Sequence, residues 1–552
     1  MPSSAKPLMP NPTWLAVRAT AIALALAATL TALIRLLCFS HIGHDQAWYL
    51  YAAQRMLTGV QLYGPQLTET NPPLILWLSL LPALAAQLLH VPATLALKLL
   101  VIALIVCSTT WCARMLTILN RAPNPTSRTQ HLLLVACIFF AESHIIFEDF
   151  GQREHLLVIL IMPYLFAIGT GGAPLLSRRE LIAVAATAGL AVSLKPQQIL
   201  LLAAFQLSVA LSLRGRNILR TPEFFALLCL CATCLLYGAC ILLFAPLYLH
   251  TTLPLLRNTY WAFGMYSAAQ LIKNQPAFDA LFLISAAIFL FGRRRLGFSP
   301  MPAHLLAASL GASLAYAIQH AGFNYQKIPH AALLSLAILI LLVEFLSPRF
   351  PALHAPLRLT RLQWTACAAA ALLYAAASAH RIRAHQVTLS HQRPTMQNFL
   401  ASLPPGTSVF ALSTALNATF PDILEDRLVW GSRFAHLWML PAIQQNEDME
   451  RTGRIPAKVL PPATLQQLRQ LQRQDTTQDL LRWRPRYVFV PRCVQPPDCQ
   501  SITTPGFDTL DWFRQSPAFA AAWSSYRYRE TLPNGRDPIQ FDVYALNPQA
   551  QP

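Results

Sequence analysis

The sequence predicts a mainly α-helical, polytopic membrane bundle of about 11 spans plus one juxtamembrane helix, followed by a soluble α/β domain. Three observations predict it. The chain is 55% hydrophobic and only 12% charged, whereas soluble proteins carry about 25% charged residues. Its apolar residues gather in runs close to the ~20 residues that a membrane helix needs. The charge is also divided: residues 1–384 hold 10 acids and 26 Lys+Arg, and residues 385–552 hold 14 and 16. Domains are therefore expected at 1–384 and 385–552. Of the +18 net charge, +16 lies in the apolar part, in short clusters between runs, as positive-inside flanks do. Nucleic-acid binding needs a basic face on a folded domain, so no nucleic-acid partner is expected.

In order along the chain, spans are expected at 14–38, 93–118, 131–147, 154–171, 180–194, 197–213, 223–247, 276–292, 301–319, 328–346 and 362–380. The first run has no small-residue cleavage site after it, so it reads as an uncleaved span. A twelfth apolar stretch, 73–90, opens with Pro72-Pro73 and contains Pro82. Charge parity decides how it is read. If it does not cross, the clusters Arg114/Arg121/Arg128, Arg178/Arg179, Arg214/Arg216/Arg220, Arg293/Arg294/Arg295 and Arg349/Arg358/Arg361 all fall inside. If it crosses, nearly all of them fall outside, against the positive-inside bias. The stretch is expected as a juxtamembrane or re-entrant helix, a form tolerated where protein buries it. The soluble domain then lies outside.

That topology gathers the few acids on or near the outer face: Asp45, Glu69, Glu148, Asp149, Glu154 and Asp279. In the first outer loop, Asp45 is expected as the N-cap of a short amphipathic helix. Gly59 suits its stop, and Trp48, Tyr49 and Tyr63 are expected as interfacial aromatics. The second loop, Glu148-Asp149-Phe150-Gly151-Gln152-Arg153-Glu154-His155, concentrates charge that is costly at a membrane boundary unless used or paired. A local ion-pair cluster would also account for it. Lys195 stands as a lone cation between two apolar runs, where snorkelling to headgroups is the plainer reading. Tyr325, Lys327 and His330 fall in a later outer loop rich in polar and aromatic residues.

Together these loops offer carboxylates for base chemistry, which an acceptor hydroxyl needs, and cations for an anionic leaving group. The layout suits a reaction at the outer membrane surface on a lipid-linked anion. The competing class is a transporter or flippase of such a lipid. It should show intramembrane ionisable groups or internal repeats; only Glu142 and Lys98 meet the first criterion and no repeat is seen. A polymerase or ligase of surface polysaccharide would share the site logic and differ in its acceptor.

The residues Asp45, Gly59, Tyr63 and Pro72-Pro73-Leu74 resemble the GT-C superfamily. More narrowly they are similar to its family 39-like members, of the protein mannosyltransferase and aminoarabinose transferase type. Glu148, Asp149 and Arg153 stand where that superfamily has its second charged loop, and Gly322 to Pro329 resembles a later one. The Gln-Arg-Glu-His loop also looks like that of a group of bacterial proteins. Two departures stand out: Gln46 follows Asp45 where many members carry a second acid, and Asn71 replaces the usual Lys before Pro-Pro. The resemblance implies transfer of a hexosyl or pentosyl sugar, with inversion, from a polyprenyl-phosphate carrier to a glycan, lipid or protein acceptor. It implies a bacterial inner-membrane enzyme acting on the periplasmic face. Asp45 would be the base, and Glu148 or Asp149 would position the acceptor. Arg153, Lys195 and Lys327 would meet the carrier phosphate. His44, Arg55, Glu69, Asn71, His155, Tyr325 and His330 complete the expected substrate-binding set. No metal ligand is assigned, and a divalent metal ion is left open as a cofactor.

The last 168 residues carry strand-like runs at Ser408–Leu412, Tyr487–Pro491 and Phe541–Leu546, and a helix around Ala463–Gln474. Leu428 to Trp438 is rich in exposed-type aromatics that would cover the membrane site, bind acceptor glycan or pack as core. Cys493 and Cys499 are spaced to close a small loop in an oxidising compartment.

Overall fold

The computed structural model describes residues 42–119, 128–143, 149–213, 217–264, 266–349, 394–453, 455–493, 507–533 and 539–547, with isolated positions between 365 and 376. The expected spans 14–38 and, apart from those isolated positions, 362–380 lie outside the described residues, as do Glu148 and Cys499. Cys493 is disulfide-bonded. Helices stand at every other expected run: Ala93–Leu119, Arg128–Ser143, Arg153–Gly169, Arg178–Leu194, Ile199–Ser212, Pro222–Phe244, Pro276–Leu296, Met301–Ala317 and Ile328–Arg349. Among the described residues, four helical segments are long and apolar enough to cross a membrane: Ala93–Leu119, Pro222–Phe244, Pro276–Leu296 and Asn324–Phe345. In Pro222–Phe244 the apolar window is only 6% buried, so Leu235, Leu236, Leu243 and Phe244 project outward. An apolar helix with so little of its surface packed against protein is a lipid-facing one.

The chain forms two compact units. The first takes Lys98–Tyr237 and Tyr266–Arg383. In it, Arg153–Gly169 packs on Arg178–Leu194, and Met301–Ala317 packs on both Ile199–Ser212 and Ile328–Arg349. Gly311 makes one of these contacts close: a Cβ there would lie 2.3 Å from the carbonyl oxygen of Leu200.

The second unit takes His41–Leu97, Gly238–Met265 and Ala384–Pro552. The soluble segment expected at 385–552 is thus folded together with the first loop, with the helix Pro73–Leu89 and with 238–265. Its sheet has the order β2-β1-β3-β5-β4, where β1 is Ser408–Ala411, β2 Val429–Trp430, β3 Tyr487–Cys493, β4 Tyr526–Leu532 and β5 Ile539–Leu546. Strand β1 runs parallel to β2 and β3, while β5 is antiparallel to β3 and β4. The helix expected near 463–474 is longer, Pro462–Trp483.

One expectation is corrected, and among the alternatives for Leu428–Trp438 the packed core is the one observed. Trp48, Tyr49 and Tyr63 are not interfacial aromatics; they are 1%, 2% and 4% exposed. Trp48 meets Phe420 edge-on at 5.5 Å, and Tyr63 packs on Tyr248 at 5.1 Å. The aromatics of Leu428–Trp438 are likewise interior: Trp430, Phe434 and Trp438 are each at most 2% exposed. Burying rings of this size is worth more than wetting one edge of them, and the second unit supplies enough chain to enclose them.

Candidate functional site

In the second unit, the helix His44–Leu57 carries the first-loop residues. Its N-cap is Gly43, in extended backbone, and not Asp45, which sits in the first turn. Glycine is accepted at an N-cap nearly as well as threonine, and the first turn is itself a favourable place for a carboxylate charge. The Asp45 side chain is 18% exposed, and its Oδ1 lies 3.5 Å from His44 Nε2. The imidazole of His436 belongs to the same electrostatic neighbourhood. Burial pushes its pKa down to about 4; the Asp45 charge opposes that shift and the His44 charge adds to it.

Glu69 fixes the surroundings of this helix. It is 2% exposed and accepts hydrogen bonds from Trp48 Nε1, Asn71 N (2.8 Å), Asn71 Nδ2 (2.7 Å) and Thr70 Oγ1 (3.1 Å). Burial raises its pKa, and these donors work against the rise. Asn71 Nδ2 also donates to Tyr49 Oη at 3.2 Å, and Tyr63 Oη donates to Asn71 O at 2.5 Å. Glu69 and Asn71 therefore orient one another and the aromatics of the helix.

Three further contacts hold this helix and loop to the 428–438 segment. Tyr51 Oη accepts from Trp430 N at 2.8 Å, Thr68 N donates to Arg433 O at 2.8 Å, and Arg55 Nη1 reaches Ser432 O at 3.4 Å. The Arg55 guanidinium also lies over the Trp483 ring at 5.2 Å. Beneath that segment, Asp479 accepts from Arg433 N and Nε and from Ser432 Oγ. Sequence reasoning did not find this buried Arg433–Asp479 pair, because its partners stand 46 residues apart.

In the first unit, the second loop is locked by its own backbone. Gly151, at φ +82°, donates its N–H to His155 Nδ1 at 3.0 Å. That leaves Nε2 as the protonated nitrogen, which donates to Glu142 O at 2.7 Å. Both ring nitrogens of His155 are thus engaged by main chain. Gln152 caps the following helix through its side chain, and Gln152 N donates to Asp149 O at 2.9 Å. Arg153 is 7% exposed.

Lys195 forms a buried ion pair with Glu154, Nζ to Oε1 2.7 Å, with side chains 7% and 0% exposed. Its ammonium also lies 5.6 Å from the Tyr325 ring centre. The sequence placed Glu154 in the charged loop without a role, and the structure makes it the buried partner of Lys195, 41 residues on, which local spacing gave no sign of. Lys195 and Tyr325, expected separately in two outer loops, are brought together, and Lys195 faces a carboxylate. Lys327 lies over the Tyr316 ring at 5.5 Å, and among the described residues it has no acidic partner. His330 is 2% exposed and bonded through Nδ1 to Ser309. Among the described residues no group of three or more His, Cys, Asp or Glu side chains is placed to hold a metal ion.

No family model matches the chain, and no curated protein matches it. Solved structures do. The chain is similar to ArnT from Cupriavidus metallidurans bound to undecaprenyl phosphate, at TM-score 0.47 and 14% identity, over 98% of this chain and 100% of that one. It is similar to the apo state of the same protein at TM-score 0.49 and 14% identity, over 96% and 98%. A third similarity, at TM-score 0.40 and 16% identity, is to arabinofuranosyltransferase AftD from Mycobacteria, over 97% of this chain and 40% of that one.

Proposed function

We propose that the protein is a membrane glycosyltransferase that moves a sugar from a polyprenyl-phosphate carrier to an acceptor hydroxyl, with Asp45 as general base. The observation that supports this best is the setting of Asp45. Its partly exposed carboxylate stands in the first turn of a helix whose neighbouring side chains are locked by the Glu69 network. That is how a base is held ready while its support stays rigid. The resemblance of Asp45, Gly59, Tyr63 and Pro72-Pro73-Leu74 to the GT-C superfamily supports the same reading.

In this mechanism the acceptor oxygen attacks the anomeric carbon and gives its proton to Asp45. The bond from that carbon to the carrier phosphate oxygen breaks, polyprenyl phosphate leaves, and the configuration inverts. The phosphate needs a cation to take up developing charge. Lys195 already faces Glu154, so Lys327 is the better candidate, with Arg153 beside it in the proposal. Asp149 is retained as a carboxylate that positions the acceptor; Glu148, the other candidate for that role, lies outside the described residues. The reaction would take place on the periplasmic face.

The test uses the full chain purified in detergent with a polyprenyl-phosphate-linked sugar. Sugar transfer in detergent separates an enzyme from a transporter, which cannot show vectorial movement there. Asp45→Asn should abolish transfer and leave membrane insertion intact. Near-normal turnover in that variant would remove Asp45 from the mechanism.

A further inference from the structure

In the first unit, the helix Arg153–Gly169 carries Pro163 in its interior. Proline has no N–H, so the carbonyl four residues earlier loses its helical donor. That carbonyl belongs to Ile159, which is 1% exposed. Ser108, on the neighbouring helix Ala93–Leu119, can supply the missing bond, since its Oγ lies 2.9 Å from Ile159 O.

The same Oγ lies 2.6 Å from Oε1 of Glu142, on the helix Arg128–Ser143. A serine hydroxyl has one hydrogen to donate, so it cannot serve both oxygens. Given to Glu142, it would leave Ile159 O buried without a donor and pressed against another oxygen. Given to Ile159 O, it leaves Ser108 Oγ as an acceptor. The hydrogen in the 2.6 Å contact must then come from Glu142. Thr109 Oγ1 donates to the other carboxyl oxygen, Glu142 Oε2, at 3.0 Å. One oxygen therefore donates and one accepts, the pattern of a protonated acid and not of a carboxylate. The surroundings agree. Glu142 is 0% exposed, and among the described residues no cation is paired with it. A buried carboxylate without a counter-ion is far costlier than a neutral acid.

The main chain acts at the same place, where Glu142 O accepts from His155 Nε2 at 2.7 Å. Cys112 also stands in the electrostatic reach of Glu142. The helix Ile328–Arg349 packs on Arg128–Ser143 as well, but its His330 and Glu344 are bonded to Ser309 and Ser299.

We propose that Glu142 carries a proton at neutral pH, and that this proton closes a clamp across three helices, from Glu142 through Ser108 to Ile159 O. The clamp does not rest on the glycosyltransferase reading, because its test needs no turnover.

The test uses the full chain in detergent at neutral pH. Glutamine reproduces the bonding of the protonated acid, with Nε2 donating to Ser108 and Oε1 accepting from Thr109. Glu142→Gln should therefore unfold within about 3 °C of the wild type, less than one lost buried hydrogen bond would move it. The infrared difference spectrum, wild type minus Glu142→Gln, should show the carbonyl stretch of a protonated carboxyl group and no carboxylate bands. Ser108→Ala leaves Ile159 O and the Glu142 hydroxyl without partners and should lower the unfolding midpoint by roughly 4–12 °C. Carboxylate bands in the difference spectrum overturn the proposal. So does a larger fall in Glu142→Gln, its failure to fold, or a wild-type midpoint in Ser108→Ala.

Discussion

Replacing Glu154 with Gln removes one charge from a pair that has almost no access to water. The ammonium of Lys195 stays where it is, 7% exposed, and the carboxylate 2.7 Å away becomes a neutral amide. At an effective dielectric of about 20 the attraction between unit charges about 4 Å apart is roughly 4 kcal/mol. Measured losses on removing one member of a buried pair are about 3–5 kcal/mol. The two figures agree, so a loss of that order is expected. At roughly 2–4 °C per kcal/mol for larger domains, Glu154→Gln should lower the thermal unfolding midpoint in detergent by roughly 6–20 °C. Lys195→Met should lower it comparably, leaving the carboxylate buried instead. The double variant should lie well above the sum of the two losses, because neither charge then remains alone. A midpoint shift under about 2 °C for Glu154→Gln, or simple additivity of the two, would refute the reading of this contact as a structural pair.

Three other outcomes are expected. His436 has a pKa lowered to about 4 by burial, against about 6.5 in an unfolded chain. Its depressed value contributes stability that is present above pH 6.5 and is lost as pH falls toward 4, on the order of 3 kcal/mol in full. His436→Phe should flatten that part of the stability–pH profile, and an unaltered profile would exclude His436 as its source. Gly311→Ala should force Met301–Ala317 away from the Leu200 carbonyl, at a cost of about 1–3 kcal/mol or more, seen as a lower unfolding midpoint; a wild-type midpoint would show that the helices can part freely. Lys327→Gln should raise KM for the lipid-linked donor more than tenfold, the scale of a lost charged hydrogen bond, with little change in unfolding temperature. An unchanged KM would transfer the phosphate role to Arg153.

What the sequence by itself determined is local. Runs of apolar residues located a helix at each expected span from Ala93–Leu119 to Ile328–Arg349, though not the short helices Leu253–Thr259 and Ala268–Lys273 between them, because hydrophobic length and period are properties of neighbouring residues. Strands β1, β3 and β5 were legible for the same reason. Strand β2, only Val429–Trp430, was too short to show a period. The opposing Arg clusters and acids predict a direction for the chain, and Asp45 and the charged loop 148–155 stood out as concentrations of costly charge.

Tertiary structure decided the partners. Glu154 and Lys195, Arg433 and Asp479, Glu69 and Trp48 lie 21 to 46 residues apart in the chain, and nothing in local spacing marks one as the complement of the other. It also decided that Trp48, Trp430 and Trp438 are interior. An aromatic side chain suits a membrane interface and a core equally well, and only the chain that folds over it selects between them. Lys195 shows the same limit: the sequence displays a lone cation between two apolar runs, and the fold supplies the carboxylate that makes its burial affordable.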